Sequence, residues 1–216
     1  MVGTGVGYAA LWVVLVPRKE NMKQIPRLET ERLVLRPFSD SDAAEVMRLA
    51  GERAIADTTA NIPHPYKEGM AEEWISRHQE TFDRDEGVVF AITQKHDGVL
   101  VGAISLMGME KGHQAELGYW VGKPYWGHGY CTEAAQAVLW CAFSDLALVR
   151  VHASHFTRNP ASGRVMQKIG MRHEGCRRQH VKKWDKTEDL EVYGILKPEW
   201  ETATNHTVVG ASPRAA

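Results

Sequence analysis

The stretch Glu116–Glu133, ELGYWVGKPYWGHGYCTE, constrains this chain more than any other. A β-prone run passes through a short loop of glycine and proline straight into a helix-prone run. Gly127 and Gly129 bracket His128 at the helix entrance. Lacking side chains, they let a ligand approach the backbone closely, and the first N–H groups of the helix have no partner inside it. Those amides and the helix dipole favour an anion, above all a phosphate. A plain tight turn would show the same pair of glycines, so the loop alone leaves both readings open. A P-loop needs GxxxxGK followed by Ser or Thr, and no such string occurs. A dinucleotide fingerprint needs a third glycine where Thr132 stands. What remains is a diphosphate held by few glycines, with the preceding strand free to touch the rest of the ligand.

Short strands and amphipathic helices alternate around this segment, from Met22 to Trp200. Leu33-Val34-Leu35 is β-prone and ends at Pro37; Ser39 with Asp42 offers a helix start, followed by Ala43, Val46, Met47 and Ala50 at helical spacing. Met70, Trp74, His78 and Phe82 predict a helix over Lys67 to Phe82. Val88–Thr93 and Val99–Leu106 flank Asp97-Gly98, a hairpin signal, and Ala115–Val121 completes an antiparallel meander. Thr132–Phe143 reads as the clearest helix, Val149–Phe156 as a strand, Ser162–Ile169 as a helix stopped by Gly170, and Glu191–Leu196 as a last strand. The sum is an α/β (α+β) single domain.

Composition narrows the function classes. A chain of 216 residues favours one domain. With 26 basic and 27 acidic side chains it carries a formal charge of −1, which gives no broad attraction to nucleic acid or to an anionic membrane. Cys131, Cys141 and Cys176 show no CxxC spacing, so no zinc site or redox pair is expected, and reduced thiols fit a cytoplasmic protein. Gly5–Val16 is apolar but too short to span a bilayer, and its basic residues, Arg18 and Lys19, follow it rather than precede it as in a signal peptide. The sequence from Met22 reads like a natural start. Residues 1–24 are therefore expected to be an extension outside the fold, residues 25–200 the domain, and residues 201–216, rich in Thr, Ala, Gly and Ser, a loose tail.

Three separate motifs carry a family resemblance. Pro124–Ala134, PYWGHGYCTEA, resembles the pyrophosphate loop of the GNAT acetyltransferase superfamily. Asn159-Pro160-Ala161-Ser162 with Val165–Met171, and the opening Leu28–Arg36 (LETERLVLR), are similar to the branch that holds the ribosomal-protein N-terminal acetyltransferases. The resemblance runs from about Leu28 to Trp200 and implies a mixed, mostly antiparallel sheet with a splayed strand pair and flanking helices. It implies acetyl-CoA as cosubstrate and no metal. Tyr119, Trp120 and Val121 would offer the open edge to the pantetheine arm. Trp126, Gly127, His128, Gly129, Tyr130 and Cys131 would surround the pyrophosphate, with Asn159 and Ser162 beside the thiol.

The implied reaction is direct acetyl transfer to an amine in a ternary complex. An ammonium has no lone pair, so a base assists attack, and Glu116 is the candidate. A backbone N–H between Tyr119 and Val121 would polarise the carbonyl. Many members place a tyrosine acid where Met166 stands; methionine donates no proton, which leaves Ser162 to protonate the departing thiolate. Pro124 replaces a Gln or Arg common in the wider family. Tyr193 would close the site beside the acetyl group, and Cys131 lies too far along the loop to carry an acyl group. The basic run Arg177–Lys186 reads as a solvated hairpin near the acceptor groove rather than an RNA site. His152 and His155 share one strand without a metal-ligand pattern. The expected acceptor is a protein N-terminal α-amino group; a small amine such as an antibiotic or polyamine, and a CoA-binding sensor without turnover, are the alternatives. Acceptor identity would lie in loops such as Ala56–Tyr66. Monomer and homodimer stay equally open.

Overall fold

Eight strands form one mixed sheet in the computed structural model, which describes residues 24–209. Residues 1–23 of the expected extension and residues 210–216 of the expected tail lie outside these residues. The strands are β1 (Leu28–Glu29), β2 (Leu33–Arg36), β3 (Gly87–Gln94), β4 (Leu100–Met107), β5 (Gln114–Val121), β6 (Arg150–Phe156), β7 (Arg172–Lys183) and β8 (Lys186–Leu196). They lie in the order β1-β2-β3-β4-β5-β6-β8-β7, and every neighbouring pair is antiparallel except β5 with β6. The meander β3-β4-β5 follows from its turns: Gly98, at φ +75°, takes the left-handed conformation at the β3–β4 corner.

Helices cover both faces. On one face α5 (Tyr130–Trp140) lays Ala134, Ala135, Ala137 and Val138 on Leu106, Leu117, Val151 and Ala153. Beside it packs α6 (Pro160–Lys168), which buries Met166. On the other face α1 (Ala43–Ala50) and α3 (Met70–Ser76) bury Val46, Ala50, Ala71 and Ile75 with Ala91 and Leu100, and Trp120 packs against this cluster. Alternation along the strands makes this two-sided burial possible, since successive side chains point to opposite faces. In α1 it is Leu49 that reaches the core, while Met47 stays 40% exposed.

Four sequence expectations change. The helix over Lys67 to Phe82 divides at Arg77 into α3 and α4 (His78–Asp83). Across the break Trp74 and His78 meet edge to face, 4.4 Å apart, with Phe38 against both. The Ala56–Tyr66 loop starts inside a helix, α2 (Arg53–Thr58), because Ile55 and Ala56 are buried. The tail from Glu201 is helical as far as Val209, in α7 (Lys197–Val209): Trp200 packs on Phe143, and the Thr202 and Thr204 hydroxyls donate to carbonyls one turn back. Finally, β7 extends the basic hairpin backward to Arg172. Most of its side chains are exposed on both faces, as an edge strand allows, so no alternation marks it.

The β7–β8 hairpin is tied across the sheet to α2 and the loop after it. The ammonium of Lys183 donates to the carbonyls of Ala60 and Ile62, at 3.3 and 2.9 Å. Arg158, just past β6, binds Asp57 on α2 at 3.0 Å and Glu188 on β8 at 2.9 Å.

Candidate active site

The parallel pair β5 and β6 comes apart. The two strands share a ladder only at Gln114–Glu116 and Arg150–His152. Beyond it β5 stays bound to β4 as far as Val121, and β6 to β8 as far as Phe156. From Leu117 and Ala153 onward their inner edges no longer pair with each other, and β5 runs on toward the glycine loop.

Beyond the end of β5 stands the start of α5. Gly127 and Gly129 both sit at φ +79°, a conformation that suits glycine, and Gly129 caps the helix. The first hydrogen bond back into the loop runs from the N–H of Glu133 to the carbonyl of Gly129, at 3.1 Å. The amides of Gly127 to Thr132 find no acceptor among the described residues. Space is open where a Gly127 Cβ would stand. Bare amides at a helix N-terminus, with room in front of them, fit a pyrophosphate.

This loop is fixed by a strand distant in sequence. Glu133 accepts from the Thr30 hydroxyl at 2.6 Å and from the N–H of Arg32 at 2.9 Å, and the Arg32 guanidinium pairs with it at 2.6 Å. Arg32 also donates to the carbonyl of His128 at 3.0 Å and lies over the Tyr130 ring. The Tyr130 hydroxyl accepts from Gln94, and His128 stacks on the Tyr130 ring. The Trp126 indole N–H donates to the carbonyl of Val121 at 2.6 Å, so of the three expected edge residues Val121 already has its carbonyl engaged. Burial pushes the Cys131 thiol up, which makes it a poor nucleophile.

Two side-chain bridges cross from β5 to the other wall, one on each face of the sheet. On the α5–α6 face the Tyr119 hydroxyl meets the Ser162 hydroxyl at 2.9 Å and the Ser162 carbonyl at 3.0 Å. Burial pushes the Tyr119 phenol up, and the neighbouring Cys131 adds to this, so the phenol holds its proton. Asn159, the residue before α6, accepts the N–H of Ser162 on its carbonyl at 3.2 Å. On the opposite face the Ser154 hydroxyl donates to the Glu116 carboxylate at 3.2 Å, and His152 stands across the ladder from Glu116.

The fold thus groups Tyr119, Asn159 and Ser162 on one face and Glu116 on the other, with the Trp126–Cys131 loop beyond the end of β5. Tyr193 joins neither group. It pairs with Ala153 on the α6 face, its hydroxyl accepts from Gln167 at 3.3 Å, and the rings of His155 and His173 enclose it. These contacts pack it against α6, on the same face of the sheet as Tyr119 and Ala153. Met166 is core, 1% exposed. Sequence reasoning did not single out Arg32, Ser154, His152 or the phenol of Tyr119, which the fold sets beside the candidate residues. Only Arg32 had a signal, in the LETERLVLR string.

Among the described residues no group of three His, Cys, Asp or Glu side chains is gathered to hold a metal, and no helix is long and apolar enough to cross a membrane.

Comparison with known proteins agrees with this geometry. The Acetyltransferase (GNAT) domain family matches residues 32–172. A probable N-acetyltransferase of Bacillus subtilis, YjcK, is 33% identical over 180 residues, covering 81% of this chain and 99% of its own length. The crystal structure of a GNAT-family acetyltransferase from Bacillus anthracis superposes with a TM-score of 0.72 at 26% identity, covering 80% of this chain and 99% of that one. RimL, a ribosomal-protein α-N acetyltransferase solved with coenzyme A, shares the fold at a TM-score of 0.70 and 18% identity, covering 80% of this chain and 97% of that one. The family match, the splayed strands and the bare helix start agree: this chain belongs to the GNAT family of acetyl-CoA-dependent N-acetyltransferases.

Proposed function

We propose that this enzyme acetylates a protein N-terminal α-amino group. The observation that carries the reading is the parting of β5 from β6 after Glu116, on the stretch of β5 that leads to the bare amides at Gly127–Thr132. Acetyl-CoA supplies an activated acyl group and a thiolate leaving group. The amides of the loop hold its diphosphate, and the backbone of Tyr119, which alternation turns away from β4 to the free inner edge of β5, pairs with its amide-bearing arm. Ser162, with the Tyr119 phenol behind it, gives a proton to the sulfur. Glu116, held by Ser154, takes a proton from the incoming amine. The RimL relative, whose name specifies a ribosomal-protein α-amino acceptor, supports the choice of acceptor. So does chemistry: an α-amino group has a pKa near 7.7–8.0, so an exposed carboxylate suffices as its base.

Two measurements test this. In a thermal-shift titration acetyl-CoA should raise the melting point by a few degrees at about a hundred times its Kd, while ATP and NAD should not. The enzyme should then acetylate peptides with a free N-terminal alanine or serine, and spare N-terminally blocked peptides that carry a free lysine. Acetylation of spermidine in preference to the peptides would move the acceptor to the small amines. The absence of an acetyl-CoA shift would end the reading.

A further inference from the structure

A second titratable side chain stands at the closed end of the opening. Glu116 and His152 face each other on the last rung before β5 and β6 separate. Their side chains leave the same face of the sheet as that of Ser154, the hydroxyl that holds Glu116. His152 is half-buried, and five charged groups act on it. They are Glu116 on β5, Glu110 in the β4–β5 connection, Arg150 on its own strand, and Glu174 and Arg177 on β7. Arg150 and Glu174 bind each other through two hydrogen bonds of 2.6 Å, which ties up one charge of each sign. Burial outweighs the carboxylates and lowers the imidazole from its ordinary value, so at pH 7 the ring is neutral and free to accept a proton.

We propose that His152 relays the proton that Glu116 removes from the acceptor amine. The inference rests on the reading of Glu116 given under Proposed function. In the balanced reaction the amine nitrogen forms the C–N bond as the C–S bond breaks. The ammonium loses two protons in all. One passes through Glu116 to His152 and on to solvent; the other balances the proton that Ser162 gives to the thiolate. Holding the first proton on a partly buried imidazole keeps Glu116 ionised for the next turnover. His152 acts through Glu116, so it is a positioning and relay residue.

The experiment combines NMR with kinetics. The imidazole Cε1–H of His152 is followed through a pH titration in the wild type and in E116Q. Removing the carboxylate should weaken proton binding by His152 at least about threefold, the size expected of a neighbouring charge in partly exposed surroundings. In parallel, kcat/KM is measured against pH for H152Q and H152N, with a peptide bearing a free N-terminal alanine. Loss of the relay should lower kcat/KM about ten- to a hundredfold at pH 7. That loss should shrink above about pH 9, where the amine arrives deprotonated, with acetyl-CoA affinity unchanged. A His152 titration indifferent to E116Q overturns the proposal, and so does a loss equal at every pH. If the wild type acetylates no peptide, the choice of acceptor fails, while the NMR titration still decides whether Glu116 and His152 are coupled.

Discussion

The phenol of Tyr119 and the hydroxyl of Ser162 meet at 2.9 Å, joining β5 to the first turn of α6 across the splayed strands. The partners are 43 positions apart in sequence, and under the proposed function this contact supplies the proton for the leaving thiolate. Tyr119→Phe keeps the ring and deletes the bond; Ser162→Ala deletes the other half. Each should lower kcat about ten- to a hundredfold while leaving acetyl-CoA affinity within about twofold. The double variant should be scarcely worse than the worse single one, because both remove the same link. Steady-state kinetics with isothermal titration would check this, and strictly additive losses would show that the two hydroxyls act independently.

Arg32 and Glu133 should control phosphate affinity. Glu133 lies in the first turn of α5, where its charge would repel the diphosphate were it not paired with Arg32 at 2.6 Å. Arg32→Ala should raise the Kd for acetyl-CoA about tenfold, and the effect should shrink in high salt. Glu133→Gln should restore most of the affinity lost by Arg32→Ala, because it removes the unbalanced charge. Titration calorimetry at two salt concentrations reads this out. A double variant as weak as Arg32→Ala would show that the guanidinium contacts the phosphates directly.

Two buried groups should oppose each other in acid. His78, 6% exposed, packs against Phe38 and Trp74 with neither ring nitrogen bonded, and burial lowers it to about 4. The unfolded chain then binds more protons between that value and the ordinary 6.5. This contribution is fully present above pH 6.5 and is lost as pH falls through 4, by about 3 kcal/mol. Burial raises Asp145 to about 6, so its contribution has the opposite sign: present below the ordinary carboxylate value and lost as pH rises through 6. His78→Leu should therefore leave a protein whose stability falls as pH climbs from 4 to 6, and Asp145→Asn one whose stability falls as pH drops through the same range. Urea denaturation at several pH values distinguishes them; parallel curves for both variants would refute the assignment.

Legibility in the sequence followed the range of the interactions. Strands β2 to β6, helix α5 and the Gly127–Gly129 entrance were readable because periodicity, glycine placement and turn residues act within a few positions of one another. Strand β7 was harder: an edge strand exposed on both faces has no need to alternate. The α3–α4 break left no local mark, since no glycine or proline stands at Arg77. The first half of the expected tail was misread because Trp200 finds its partner, Phe143, only in the folded molecule.

The sequence by itself determined the alternation of elements, the glycine-flanked helix start and the family, since these rest on local patterns and on motifs that survive as strings. Only the tertiary structure decided which side chains share the opening. The parting of β5 from β6 set Tyr119 against Ser162 on one face, and Glu116 against Ser154 and His152 on the other. It also held Tyr193 under α6 and brought Arg32 to a helix start some hundred residues away. The physical reason is that a catalytic grouping depends on which face of a strand points where and on which strands separate. Register and splay are settled by the packing of the whole sheet, a property that no short stretch of residues contains.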